Sequence, residues 1–176
     1  MKYSLLEVVI GFLKTALLLI VLEIFSSAIL PSFGIDEFKP AFNVLIVLFL
    51  AFKLDAPFLP FLILAFQYIH STFSIEGWAS GTFAGILIAV SVRYVRDMLN
   101  FSTAISTIIV VQVFQLAWFF LVSSILSIKL GDFSNFINIF LQYIPESIFL
   151  SLISFHFFKL LDFFWKVNKR SHGVSL

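Results

Sequence analysis

Six stretches of this chain are long and mainly apolar. They run about 5–30, 38–54, 57–73, 77–94, 101–128 and 146–166, with short breaks of proline, glycine or grouped charge between them. A helix needs ~20 mainly apolar residues to cross the ~30 Å hydrocarbon layer of a bilayer. Six such stretches take up most of a 176-residue chain and leave no room for a separate soluble domain. The composition agrees: 61% of residues are apolar or aromatic and 12% are charged, whereas soluble domains carry about 25% charged residues. Disorder is excluded too, because 25 phenylalanines would not remain solvated. The expected fold is all-α integral membrane: one domain, residues 1–176, a compact bundle of about six transmembrane helices.

The breaks between the stretches carry the topology. Pro31 closes the first, and a polar turn with Gly34, Asp36, Glu37 and Lys39 follows it. Lys53, Asp55 and Pro57 separate the second from the third, and Arg93, Arg96 and Asp97 end the fourth. With six spans and a cytoplasmic N-terminus, Lys2, Lys53, Arg93, Arg96, Lys159, Lys166, Lys169 and Arg170 face the cytoplasm. Lys39 and Lys129 face outward, and Lys14 lies within the first span. An excess of Lys and Arg on the inner side is the ordinary pattern, so both termini are expected in the cytoplasm. Lys14 and Glu23 argue against reading the first stretch as a cleaved signal, whose apolar region should be uncharged.

The last apolar region is longer than one span and contains Pro145-Glu146. Phe133, Phe136, Ile137, Phe140, Leu141 and Ile144 recur on one helical face. This predicts an interfacial amphipathic segment, about 133–144, that turns at Pro145 before the sixth span. A single kinked helix is the alternative.

Four groups of residues stand out. Gly77, Gly81 and Gly85 fall at intervals of four and would form one small-residue stripe, the kind that lets helices approach closely. It would serve packing within the bundle or contact with a partner, as would Phe133, Phe136 and Phe140. Gln112 and Gln115 lie in the middle of the fifth span and require hydrogen-bonding partners in hydrocarbon; Gln67 and His70 are the candidates. Arg93 and Arg96 suit a lipid headgroup or an acidic cytoplasmic partner. Glu7 and Lys14 share a helical face, with Glu23 nearly opposite. Charges at such positions reach an interface by snorkelling or pack inside the bundle.

Reactive chemistry is not indicated. Cysteine is absent, the three histidines are far apart, and no phosphate-binding loop or nucleophile motif occurs. The expectation is a non-enzyme without cofactor or metal. The net charge of +1 gives no field to attract nucleic acid.

Three segments carry a family resemblance: Ser74-Ile-Glu-Gly-Trp-Ala-Ser-Gly-Thr-Phe-Ala-Gly85, Arg93-Tyr-Val-Arg96-Asp97-Met-Leu, and Pro145-Glu-Ser147 with Phe157-Phe158. With the six-span pattern, the chain resembles the rod shape-determining protein MreD family. The resemblance implies a multi-pass protein of the bacterial inner membrane. It would be a non-catalytic subunit of the cell-elongation complex that makes peptidoglycan. It would bind the scaffold protein MreC and link it to the wall synthases and the MreB filament. A similar fold occurs in the substrate-capture subunits of energy-coupling-factor vitamin transporters, which supply the alternative function. An outward polar cavity lined by Glu76, Gln112, Gln115, Asn135 and Asn138 would favour transport. A filled core would favour the scaffold role.

Overall fold

The computed structural model describes residues 5–34, 38–54, 57–74, 77–95, 103–131, 133–134 and 136–165, and every regular element among them is helical. Helix α1 (Leu5–Ile24) passes through a π-helical turn, Phe25–Ile29, into a last turn, Leu30–Ser32. Helices α2 (Phe42–Lys53), α3 (Leu59–Ser71), α4 (Trp78–Val95), α5 (Ala104–Leu130) and α6 (Phe136–Trp165) complete the bundle. Four stretches are long and apolar enough to cross a membrane: Leu6–Ser32, Trp78–Val95, Ala104–Leu130 and Phe136–Trp165. The other two, α2 and α3, are apolar but only 12 and 13 residues long. At ~1.5 Å per residue each covers roughly 18–20 Å.

The shortest helix is the core. Every residue of α2 from Phe42 to Ala51 is buried, and α2 touches α1, α3, α4, α5 and α6. A helix that is hydrophobic all round belongs inside a bundle. Near-continuous apolar residues with no polar face leave α2 no other place. The long helices instead bury only 28% to 39% of their most apolar stretch. Their remaining faces show Leu13, Leu17, Phe83, Val113 and Leu152 outward, as a bilayer requires.

The helices alternate in direction. One end of the bundle gathers the start of α1 and the ends of α2 and α6: Trp165 Nε1 donates to Thr15 Oγ1 at 3.0 Å, and Lys53 pairs with Asp162. The opposite end gathers the ends of α1 and α3 with the start of α2 and the first half of α6.

Several boundaries differ from the sequence expectation. Pro31 lies inside the last turn of the first helix, which ends one residue later at Ser32. Its missing N–H and its ring disrupt the ordinary i→i−4 bond, and the π-turn just before it widens the helix and carries the backbone past. The second stretch becomes helical only at Phe42, after a tight turn at Ala41 in which the Phe42 N–H donates to the Pro40 carbonyl at 2.9 Å. The expected division at Pro145 does not occur: α6 is one 30-residue helix with Pro145 inside it. The reason is α5, which supports both halves. Phe120 packs on Phe136 and Phe140, Phe119 stacks on Tyr143 at 4.6 Å, and below the proline Gln115 meets Ser151. The 133–144 segment is therefore held against a neighbouring helix, and its aromatic face serves that contact. Phe133 itself precedes α6 and is exposed.

The glycine stripe is also shorter than expected. Gly77 lies outside α4 with φ +75° and has open space around it. It is a turn residue, of the kind glycine serves best, and not a packing residue. Gly81 and Gly85 face inward. A Cβ on Gly81 would lie 2.4 Å from Gln67 Oε1, and one on Gly85 would lie 2.7 Å from Ile63 Cγ2 and 3.0 Å from Trp118. Both glycines bring α4 close to α3, and Gly85 also brings it close to α5.

Candidate functional site: a polar cavity at one end of the bundle

Hydrocarbon offers no partners to polar groups, so those inside the bundle must find one another. Asn43 Nδ2 donates to Gln67 Oε1 at 3.1 Å, linking α2 to α3. Gln112 Nε2 donates to Ser147 Oγ at 3.0 Å, and Ser151 Oγ donates to Gln115 Oε1 at 3.1 Å, so both glutamines bind α6. The expected partners Gln67 and His70 are engaged elsewhere. The reason is which helices adjoin: α5 packs along α6 over most of its length, and two serines one turn apart meet two glutamines on the facing helix. Gln112 and Gln115 are intrabundle groups bonded to α6. Asn138 is exposed. Glu76, Arg96, Asn135, Lys166, Lys169 and Arg170 lie outside the described residues. Arg93 is exposed at the end of α4, beside an apolar pocket of about 160 Å³.

The second polar assembly joins Glu23, for which the sequence leaves open an interface position or a place in the bundle, to His70, expected opposite the glutamines of the fifth span. Glu23 is 4% exposed and His70 is 7% exposed. Their Oε1 and Nδ1 lie 2.6 Å apart, within hydrogen-bond distance. Glu23 is therefore buried with a partner and does not snorkel. The local reason is helix phase. Glu23 falls on the same inward side of α1 as Ala16, Leu19 and Ser26, and His70 on the same side of α3 as Ile63, Phe66 and Gln67. Glu146, also buried, accepts from the Lys39 main-chain N–H at 3.3 Å and so holds the start of α2 against α6.

These groups surround one cavity of about 310 Å³. Its wall is formed by Glu23, Ser26, Ser27, Lys39, His70, Phe73, Leu126, Tyr143 and Glu146, with neighbours from the same five elements. Tyr143 and Glu146 also border a groove beside Phe38 and Pro145, so the cavity adjoins the flank of α6. Two interruptions of regular helix lie at this wall. The π-turn supplies Ser26 and Ser27, and π-turns recur at functional sites. Pro145 leaves the Leu141 carbonyl without its usual helical donor.

The signal for this site was present in the sequence. Glu23 and His70 are ionisable residues inside apolar stretches, a functional-site indication in itself. Both lie near the ends of odd-numbered stretches, which places them at the same level of an alternating bundle. Asn43 gave no comparable signal, since one amide in an apolar helix does not name its partner. Among the described residues no three of His, Asp and Glu come together as a metal site.

No family model, curated protein or solved structure matches the chain.

Proposed function

We propose that the chain is a non-catalytic subunit of the bacterial cell-elongation complex. It crosses the cytoplasmic membrane six times with both termini in the cytoplasm, binds an MreC-type scaffold, and links it to the wall synthases and an MreB-type filament. The supporting observation is the enclosed α2. A solid apolar helix occupies the centre of the bundle, where a passage or a reaction chamber would otherwise lie. What remains available to the molecule is its outer surface and its two ends. Small-residue packing by Gly81 and Gly85 makes the assembly dense and rigid, which suits a part that positions others. Arg93 is exposed at one end, on the side proposed to face the cytoplasm, and Arg96 follows it in sequence.

The test is co-expression of the tagged full chain with the scaffold protein encoded in the same genome. A stoichiometric complex in detergent, together with rounding of rod-shaped cells when the chain is depleted, is the expected result. Normal cell shape after depletion would remove the elongation role.

The end cavity favours a second reading, a substrate-capture subunit of an energy-coupling-factor type transporter. Co-purification with paired ATPase subunits in place of a scaffold would decide for it.

A further inference from the structure

We propose that the outward face of α1 around Lys14 is the docking site for a transmembrane helix of a partner protein, one that carries an aspartate or glutamate level with Lys14. The inference needs only a chain that spans a membrane and is independent of the elongation role. Several other charges along the helices are answered within the bundle. Glu23 bonds His70, Glu146 accepts from the Lys39 N–H, Lys53 pairs with Asp162, and Lys159 lies 4.1 Å from the ring centre of Phe155. Lys14 is exposed, and among the described residues no hydrogen bond, ion pair or ring meets it. Its direction is fixed by its neighbours. Thr15 accepts from Trp165 Nε1 at 3.0 Å, and a Cβ on Gly11 would lie 2.9 Å from the Trp165 ring. That side of α1 faces the bundle, so Lys14 is turned away from it.

Lipid alone serves this face badly. Leu6, Val9 and Leu13, between the start of α1 and Lys14, are 68%, 44% and 59% exposed. A bilayer placed to cover them sinks the Lys14 backbone by up to ~12 Å, at ~1.5 Å per residue from Leu6. The four-carbon stem recovers only part of that by snorkelling, and an ammonium in hydrocarbon is costly. A bilayer edge placed at Lys14 leaves the three apolar side chains in water. A helix lying along α1 removes both penalties, because it covers the apolar residues and sets a carboxylate among them.

The path for such a helix is present. Leu6, Ile10, Leu13, Leu17, Ile20 and Ile24 recur in alternating steps of four and three, the spacing along which a second helix packs. Ile10 and Ile20 are half-buried and the other four are exposed. Lys14 flanks this seam beside Leu13, where charge selects the partner. A second copy of the chain does not fit. Copies share one orientation in the membrane, so α1 against α1 across a two-fold axis sets Lys14 level with Lys14, and like charges repel.

The full-length protein, with a donor dye on Ser32→Cys at the end of α1, is reconstituted in phosphatidylcholine vesicles. Energy transfer is titrated with acceptor-labelled leucine–alanine transmembrane peptides that carry either Asp or Lys at the depth of Lys14. Saturable transfer, roughly tenfold tighter for the Asp peptide, is expected. Lys14→Leu should remove the preference, and Lys14→Glu should reverse it in favour of the Lys peptide. Both substitutions lie on an exposed face and leave the core untouched, so a change of preference reports on the contact and not on folding. A second arm repeats the titration in vesicles containing phosphatidylglycerol. Retention of the Asp preference supports a protein partner, whereas its complete loss assigns Lys14 to anionic headgroups and overturns the proposal. Equal transfer to the Asp and Lys peptides, no saturable transfer to either, or an Asp preference that survives Lys14→Glu overturns it as well.

Discussion

At the scale of single residues, the interior leaves no room for added volume at Gly85. A methyl group on Gly85 would collide with Ile63 and Trp118, both fully buried and unable to swing aside. Overpacking of this kind costs about 1–3 kcal/mol. Gly85→Ala should therefore lower stability by that amount in a denaturant or thermal unfolding measurement in detergent. A result indistinguishable from the parent would mean that α4 does not approach α3 and α5 as closely as described. The polar pairs are individually modest, because side-chain hydrogen bonds between membrane helices average about 0.6 kcal/mol and reach at most about 1.7. A double-mutant cycle of Gln112→Leu with Ser147→Ala should give a coupling in that range. A value near zero would place the two side chains apart.

Elements differ in how much they contribute, and the ranking is not by length. Among the described residues, helix α2 is the shortest of the six and the one whose central residues are buried on all sides. Leu48 has no exposed surface, while Leu17 on α1 is 65% exposed. Truncating a buried leucine costs roughly 2–5 kcal/mol, the transfer and cavity contributions together. An exposed substitution usually stays within ~0.5 kcal/mol. Leu48→Ala should thus destabilise the fold severely and Leu17→Ala hardly at all, as read by the midpoint of unfolding of each variant. Similar midpoints for the two would contradict the central position of α2. The ion pair of Lys53 with Asp162 joins the ends of α2 and α6 where both side chains are partly exposed. Lys53→Ala should therefore cost under about 1 kcal/mol.

The whole molecule has two unlike ends, and this can be read directly because the chain has no cysteine. The cavity end bears Ser27 and Lys39, and the opposite end bears Tyr94 and Lys159; all four are exposed. With the proposed orientation, a membrane-impermeant maleimide added to intact cells should label Ser27→Cys and Lys39→Cys. Tyr94→Cys and Lys159→Cys should react only after the membrane is opened. The reverse pattern would invert the molecule in the bilayer, and labelling of all four from outside would contradict the spanning arrangement.

Much of this architecture is legible in one dimension, because the partition between water and lipid acts on each segment by itself. Apolar length and the placement of charge and proline mark the helices without knowledge of their neighbours. For that reason the helical membrane class and the approximate limits of the helices follow from the sequence alone. What depends on neighbours was not legible. The ring at Pro145 would break an isolated helix, but α5 braces it on both sides. Three glycines at equal spacing look alike, yet only backbone dihedrals and close approach separate the turn at Gly77 from the packing at Gly81 and Gly85. Glu23 could have reached an interface and His70 could have met the glutamines of the fifth span, and their meeting depended on the relative rotation of α1 and α3. Partitioning is a property of a segment, whereas pairing is a property of two segments and the angle between them, and only the folded bundle sets that angle.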